Sequence, residues 1–249
     1  MERPRWQWDE MVQRGTDYAS LAEVRAYDER MGAIRDVAAE ARRILDLLKP
    51  SPADILLEIG TGTGAFARMA ARQCRTLIAI DVSETMLTYA AQRARDEGIT
   101  NIVFAQGGFL TYEHRGEPVA AVVSQLALHH LPDAWKLIAL RRLADVMKEG
   151  GGLYITDVVF PDEAQGDWPA YAEGLLRGMP EEIQEEMACH VREEFSTFDW
   201  IMRGILERSG FAIESAEMDG DYLAHYLCRR EQALGNRDHG ETTMMAGER

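Results

Sequence analysis

Two acids and three glycines carry most of the chemistry that can be read from this chain. Glu58 follows a short apolar run, Ile55-Leu56-Leu57, and precedes Ile59. Gly60, Gly62 and Gly64 then come at alternate positions, with Thr61 and Thr63 between them. Glycine turns the backbone sharply and lets a ligand lie against bare main chain. Phe66, Met69 and Ala70 follow at helical spacing, and a helix N-terminus offers unpaired N–H groups to an electron-rich ligand. Strand, glycine turn and helix start together describe a nucleotide-type cofactor site. Asp81 ends the next apolar run, about twenty residues past the first glycine, where a carboxylate can accept from both hydroxyls of a ribose. A nicotinamide fingerprint would want Gly-x-Gly-x-x-Gly, and here the third glycine comes one residue early. Glu58 would also set an anion against a pyrophosphate. It suits a cofactor that carries a positively charged amine.

A second group of candidates is less explicit. His129 and His130 follow an apolar run and precede Pro132. They read either as a structural pair at a strand–helix junction or as general bases. His190, with Glu193 and Glu194, reads as a solvated helix face, with a substrate lid as the alternative. Tyr18 and Tyr27 read as helix-face packing, the alternative being that an N-terminal helix lays one of them near the cofactor. Trp135 and Trp200 read as packing residues. Cys74, Cys189 and Cys228 are scattered without a Cys-x-x-Cys, so neither a zinc site nor a disulfide framework is expected, and no metal is assigned.

The elements that must position these residues follow from periodicity. Ser20 and Glu23 make a capping box for a helix that runs toward Leu48, with Gly32 as a candidate break and Pro50 and Pro52 as the stop. Strands are expected at 54–59, 76–80, 102–105, 120–126 and 153–159. Helices are expected between them, the last opened by Pro132-Asp133 and ended by Gly150-Gly151-Gly152. Near-continuous apolar strands alternating with helices argue for a parallel sheet covered on both faces, doubly wound by right-handed crossovers. Glu58, Asp81, Gly107, Gln125 and Asp157 fall at strand ends, and so should converge on one crevice. Residues 161–196 read as one or two short helices, interrupted by Gly178 and Pro180. Ser196 or Thr197 caps a further helix, and Asp219-Gly220 joins a closing hairpin. The expected organisation is an N-terminal helical arm or cap over 1–50, a main domain over 51–230 with a helical insertion at 161–196, and a mobile tail over 231–249.

Composition narrows the partners. The chain has 249 residues, 46% of them hydrophobic, enough for one sizeable core. Its net charge of −15 disfavours a phosphate backbone or an anionic membrane surface as partner. The N-terminus lacks an apolar signal region and no apolar run is long enough to span a bilayer, so a cytoplasmic location is the default expectation.

Four segments carry a resemblance. They are Leu-Glu-Ile-Gly-Thr-Gly-Thr-Gly at 57–64, Ala-Ile-Asp-Val-Ser at 79–83 running into Met86-Leu87, Val-Val-Ser-Gln-Leu-Ala-Leu-His-His-Leu-Pro-Asp at 122–133, and Met-Lys-Glu-Gly-Gly-Gly-Leu-Tyr-Ile-Thr-Asp at 147–157. In this order and spacing they resemble the class I S-adenosylmethionine-dependent methyltransferases, over roughly 48–159 and more loosely to Cys228. The resemblance is greatest to the small-molecule enzymes.

It implies an α/β, Rossmann-like fold with a mostly parallel seven-stranded sheet and an antiparallel C-terminal hairpin strand. It implies methyl transfer from S-adenosylmethionine to a small-molecule acceptor by in-line displacement. A non-enzymatic cofactor-binding module and an enzyme acting on a macromolecule stay open as alternatives. Glu58, Gly60, Thr61, Gly62 and Gly64 would hold the methionine part, Asp81 the ribose, and Val82 and Met86 the adenine side. Gln125 and Leu126 would line the floor below the sulfonium. The family often places an acid after strand three, on the adenine amine. This chain has Gly107-Gly108 there, which leaves adenine to backbone groups around Gly108 and Phe109. Tyr27 joins the cofactor set, and His129 and His130 are the candidate catalytic residues.

Overall fold

The computed structural model describes residues 4–12 and 20–232. Tyr18, the side chain of Tyr27 and the tail beyond 232 lie outside the described residues. No helix among them is long and apolar enough to cross a membrane.

The chain opens with α1 (Leu21–Ile34) and α2 (Val37–Leu48). The Ser20 hydroxyl accepts from the Glu23 N–H at 3.1 Å, as the capping box requires. The break between the two helices falls at 35–36, not at Gly32. Asp36 has left helical geometry there, and its carboxylate accepts from the Ala39 N–H at 2.9 Å, capping α2.

The alternating part comprises β1 (Ile55–Ile59), α3 (Ala65–Ala70), β2 (Thr76–Asp81), α4 (Glu84–Asp96), β3 (Ile102–Gln106), β4 (Val119–Gln125), α5 (Asp133–Val146) and β5 (Met147–Phe160). The triple glycine does not end α5. The helix stops at Val146, and β5 runs through the glycines. Packing gives the reason at Gly152, where a Cβ would stand 2.6 Å from Leu48 Cδ2, so α2 closes onto the sheet only over a bare backbone.

The remainder comprises α6 (Trp168–Gly178), α7 (Glu181–Glu193), β6 (Thr197–Phe198), α8 (Asp199–Arg208), β7 (Phe211–Asp219) and β8 (Leu223–Arg230). Ser196 and Thr197 do not cap α8. Phe198 holds that position, and Thr197–Phe198 instead pairs with the end of β5. The main sheet runs β3-β2-β1-β4-β5-β8-β7, with β6 as an eighth, two-residue strand beside β5. β1 to β5 are parallel, whereas β8 is antiparallel to both β5 and β7.

Successive residues of β1 point to opposite faces, as a pleated strand requires. Leu56 joins Ala41, Ile44, Leu45, Phe66 and Leu77 under α2 and α3, while Leu57 joins Val122, Leu140, Leu143, Ile155 and Leu206 under α5 and α8. A third cluster forms beyond the carboxyl ends of the strands. Val158 and Phe160 of β5 meet Leu175 and Met179 there, with Leu126, Trp168, Tyr171, Ile183 and Met187 packed around them. That cluster seats the helical insertion over the ends of β4 and β5.

One buried cation ties the insertion back to the main layer. Lys136 on α5 is 2% exposed, and its ammonium donates to Asp133 Oδ1 at 2.8 Å and to the Phe195 carbonyl. Thr197 donates to the other Asp133 oxygen at 3.2 Å. Removing the cation leaves a carboxylate and a carbonyl without their donor. Lys136→Ala should therefore cost about 1.5–3 kcal/mol of stability in urea denaturation, chiefly from the partly buried Phe195 carbonyl left without its donor. A change under about 0.5 kcal/mol, the range of a neutral surface substitution, would show that this tie holds nothing.

Candidate functional site

The glycine turn is fastened to β2. The N–H groups of Gly60 and Thr61 both donate to the Ile80 carbonyl, at 2.8 and 2.9 Å. Gly60, Gly62 and Gly64 all have positive φ, at 78°, 52° and 74°, which disfavours any residue with a Cβ. Two of them are also crowded. A Cβ on Gly60 would stand 2.4 Å from Ala127 Cβ, and one on Gly64 would stand 2.8 Å from Ala90 Cβ. Gly62 faces open space and leaves its backbone bare.

Asp81 is the last residue of β2. Its Oδ2 accepts from the Gly62 N–H at 2.8 Å, and its Oδ1 from the Ser83 N–H at 2.9 Å. A carboxylate offers about four lone-pair directions, so each oxygen can take a further donor, such as a ribose hydroxyl. The loop after β3 is tied to the same place. The Gly107 N–H donates to the Asp81 carbonyl at 3.0 Å, and the Gln106 amide to the Val82 carbonyl at 3.0 Å. Met86 opens α4 with its N–H on the Ser83 hydroxyl at 3.2 Å. Glu58, the glycine turn, Asp81, Val82, Met86 and Gly108 thus belong to one connected patch.

Glu58 is 3% exposed, and its hydrogen-bond donor is the Thr61 hydroxyl at 2.6 Å. Burial pushes its carboxyl up to about 8, the Thr61 bond offsets only part of that, and the charge of Asp81 adds to the rise. Asp81 is also raised, again by burial first, with the backbone N–H groups opposing. A buried acid in this condition is stabilised by an arriving cation. This fits a cofactor with a positive charge and vicinal hydroxyls.

The segment after β4 forms the opposite wall. Gln125 pairs with Thr156, so Asp157 projects one residue beyond the end of β4. Leu126 takes φ 52°, a strained value for a side-chain-bearing residue, while its N–H donates to the Thr156 carbonyl at 2.8 Å. Ala127 then meets Gly60. His129 follows on a short 3-10 turn and is 6% exposed.

His129 stands between two acids. Its Nδ1 lies 2.5 Å from Asp157 Oδ1, and its Nε2 lies 3.1 Å from Glu194 Oε2. Burial alone would lower its pKa, but the charges and hydrogen bonds of Asp157 and Glu194 prevail and raise it to about 9. Burial would raise both acids, and the imidazoles hold both below the usual carboxylate range. His130 is more open to solvent than its neighbour. It is pushed down to about 4, by burial first and then by the charge on His129.

His190 and Glu194 do not form a solvated face. Their side chains are 12% and 9% exposed, and His190 Nδ1 lies 2.5 Å from Glu194 Oε2. Only Glu193 faces outward, at 52%. Helical periodicity of charge could not show that the end of α7 turns inward onto His129. Of the two tryptophans, Trp135 stacks on Trp6, with centroids 6.3 Å apart, whereas Trp200 is 55% exposed.

Phe109 is a buried core residue beside the patch, 6% exposed. The loop that bears it receives an acid that sequence reasoning missed. Glu10 Oε1 accepts from the Leu110 N–H at 2.8 Å and from the Thr111 N–H and hydroxyl at 2.7 Å each. A Cβ on Gly108 would stand 2.6 Å from the Glu10 carboxyl carbon. Glu10 therefore occupies the space that a side chain at 108 would fill. Its segment continues as a strap, with Trp8 edge-on to Phe195 at 5.2 Å. The one available signal was an acid among tryptophans in a segment without a period.

A family profile for a methyltransferase domain matches residues 56–151. An uncharacterized methyltransferase of Geobacillus kaustophilus is 27% identical over 213 residues, covering 86% of this chain and 89% of the relative. A S-adenosylmethionine-dependent methyltransferase from Aquifex aeolicus superposes with a TM-score of 0.60 at 19% identity, covering 85% of this chain and 98% of that one. Magnesium protoporphyrin IX methyltransferase from Synechocystis, with bound S-adenosylhomocysteine, gives 0.54 at 16% identity, covering 89% and 91%.

The state of Glu58 can be read from stability. An acid whose pKa is raised on folding holds its proton in the native state after the unfolded chain has released it. Stability therefore falls as pH rises from about 4.5 to about 8 and is fully lost from this source above that. Glu58→Gln removes the effect and can still accept from Thr61. Between about pH 5 and pH 9 the ligand-free variant should gain on the parent by at least about 4 °C in Tm. Parallel melting curves at all pH values would show Glu58 to be an ordinary carboxylate.

Proposed function

We infer that this chain is a class I S-adenosylmethionine-dependent methyltransferase and that it transfers the cofactor's methyl group to a small-molecule acceptor. The carrying observation is the cover over the acceptor side of the crevice. The third apolar cluster seats α6 and α7 over Leu126, Glu194 closes on His129, and the Phe195 N–H donates to the His129 carbonyl at 2.9 Å. The strap at 4–12 then packs on Phe195 and on the loop after β3. A segment of nucleic acid or folded protein would need this wall open, and a net charge of −15 does not attract a polyanion.

S-adenosylmethionine supplies an electrophilic methyl carbon on a sulfonium leaving group. The chain's own residues then bind, align and exclude water. Glu58 and the bare turn at Gly60, Thr61, Gly62 and Gly64 are the seat for the charged methionine end. Asp81 takes the ribose hydroxyls, and Val82, Met86, Gly108 and Phe109 border the adenine. Glu10, in the space left by Gly108, is the acid for the adenine amine. Gln125 and Leu126 line the floor between cofactor and acceptor. His129 and His130 stand on the acceptor side, where His130 borders the reacting atom and His129, held between Asp157 and Glu194, fixes the turn that carries it.

Titration of the purified chain with S-adenosylhomocysteine tests the cofactor half. Asp81→Ala should weaken binding by about 1.5–3 kcal/mol, from lost charge-assisted hydrogen bonds. An unchanged Kd would mean that the ribose lies elsewhere. A panel of small acceptors, read by release of S-adenosylhomocysteine, tests the other half. With a turned-over acceptor, His130→Ala should lower kcat by about 10²-fold while the cofactor Kd stays within about twofold. Turnover of tRNA or protein in preference to every small acceptor would refute the reading.

A further inference from the structure

We propose that His129, His130, His190 and Glu194 bind one divalent transition-metal cation on the acceptor side of the crevice. A ring nitrogen from each of His129 and His130 and a carboxylate oxygen of Glu194 lie within 4.8 Å of one another. His190 brings a fourth donor. Its Nδ1 approaches, at 2.5 Å, the same Glu194 oxygen that His129 Nε2 approaches at 3.1 Å.

The outward ring nitrogens are held as well. Asp157 Oδ1 lies 2.5 Å from His129 Nδ1 and is itself fixed by the Val158 N–H at 2.8 Å. The Ser196 hydroxyl lies 2.6 Å from His190 Nε2. Metal-binding imidazoles carry such a partner on the far nitrogen, because it fixes the ring and strengthens the inner nitrogen as a donor. Two imidazoles from separate elements show this arrangement together. A packing role would not call for it, since apolar side chains of similar volume fill a buried place at lower cost than paired charges.

The donors are nitrogen and oxygen without sulfur. That set suits Zn²⁺, Fe²⁺, Co²⁺, Ni²⁺ or Mn²⁺ better than Cu⁺, and it holds more imidazole than Mg²⁺ or Ca²⁺ accept. The ligands come from two parts of the chain. His129 and His130 follow β4, while His190 is on the last turn of α7 and Glu194 directly follows it. A bound cation would clamp the insertion to the crevice and offer a coordination position to an oxygen of the acceptor. Its place on the acceptor side rests on the preceding reading, whereas retention of the cation by these four residues does not.

The test uses the full chain, free of any histidine tag, stripped with a chelator and then loaded with Zn²⁺ or Co²⁺. Elemental analysis after dialysis should find about one equivalent per chain, and Zn²⁺ should raise Tm in proportion to the logarithm of its concentration. Co²⁺ should give visible ligand-field absorption. His130→Ala and Glu194→Gln should each weaken binding more than about tenfold, and Asp157→Asn by about 10–100-fold. His114→Ala, in the loop between β3 and β4, should leave it unchanged. S-adenosylhomocysteine titration checks that every variant is folded. If the parent retains no metal, only a proton joins these groups and the proposal fails. It fails equally if a folded variant lacking both His130 and Glu194 retains metal as the parent does.

Discussion

The contact between Gly60 and Ala127 is the constraint on which the rest of the crevice depends. β1 and β4 are neighbours in the sheet, so the segments leaving their carboxyl ends must separate around a ligand or collide. Here they come close at Gly60 and Ala127, where a Cβ on residue 60 would collide with the Ala127 side chain. On one side of this contact lies the glycine turn, tied to Asp81 through the Gly62 N–H. On the other lie Leu126 and His129. The two walls of the crevice therefore approach each other over bare backbone. Leu126, with its positive φ, still donates its N–H to Thr156 of β5, so the segment leaving β4 stays fastened to the end of its neighbour.

Two buried acids of this crevice have opposite fates, and the difference is in their partners. Glu58 has a hydroxyl for a partner and a second carboxylate nearby, so burial prevails and its proton is retained. Asp157 has an imidazole that shares its charge with Glu194, so attraction prevails and it stays ionised. The first would be stabilised by an arriving cation. The second already has its positive partner. It keeps the acceptor side firm without a permanent unpaired charge.

The sheet and the strand-end positions of Glu58, Asp81 and Gln125 were legible because local pattern determines both. Apolar runs ending in Glu58, Asp81 and Gln125 place those residues at strand ends, and strand ends in a doubly wound sheet share one edge. The triple glycine at 150–152 misled because glycine ends helices often, whereas here Gly152 serves a contact with Leu48 from a distant helix. Glu10 and Glu194 were illegible for the same reason. Their meaning comes from loops about 100 and 65 residues away, at Leu110 and His129, and no local period records such a meeting. The absence of a Cys-x-x-Cys likewise speaks only to cysteine sites. It is silent on imidazoles that come together from separate elements.

Glu10 and Glu194 also divide the labour of the covering segments. Both are acids carried by parts of the chain outside the alternating layers, and each closes a different end of the crevice. Glu10 fills the space beside Gly108 and ties the strap to the wall below β3, where adenine would lie. Glu194 closes α7 onto His129, on the acceptor side. The strap also touches Phe195, the residue after Glu194, so the two covers bear on each other. Anything that orders one end of the crevice therefore has a packed route, through Trp8 and Phe195, to the other.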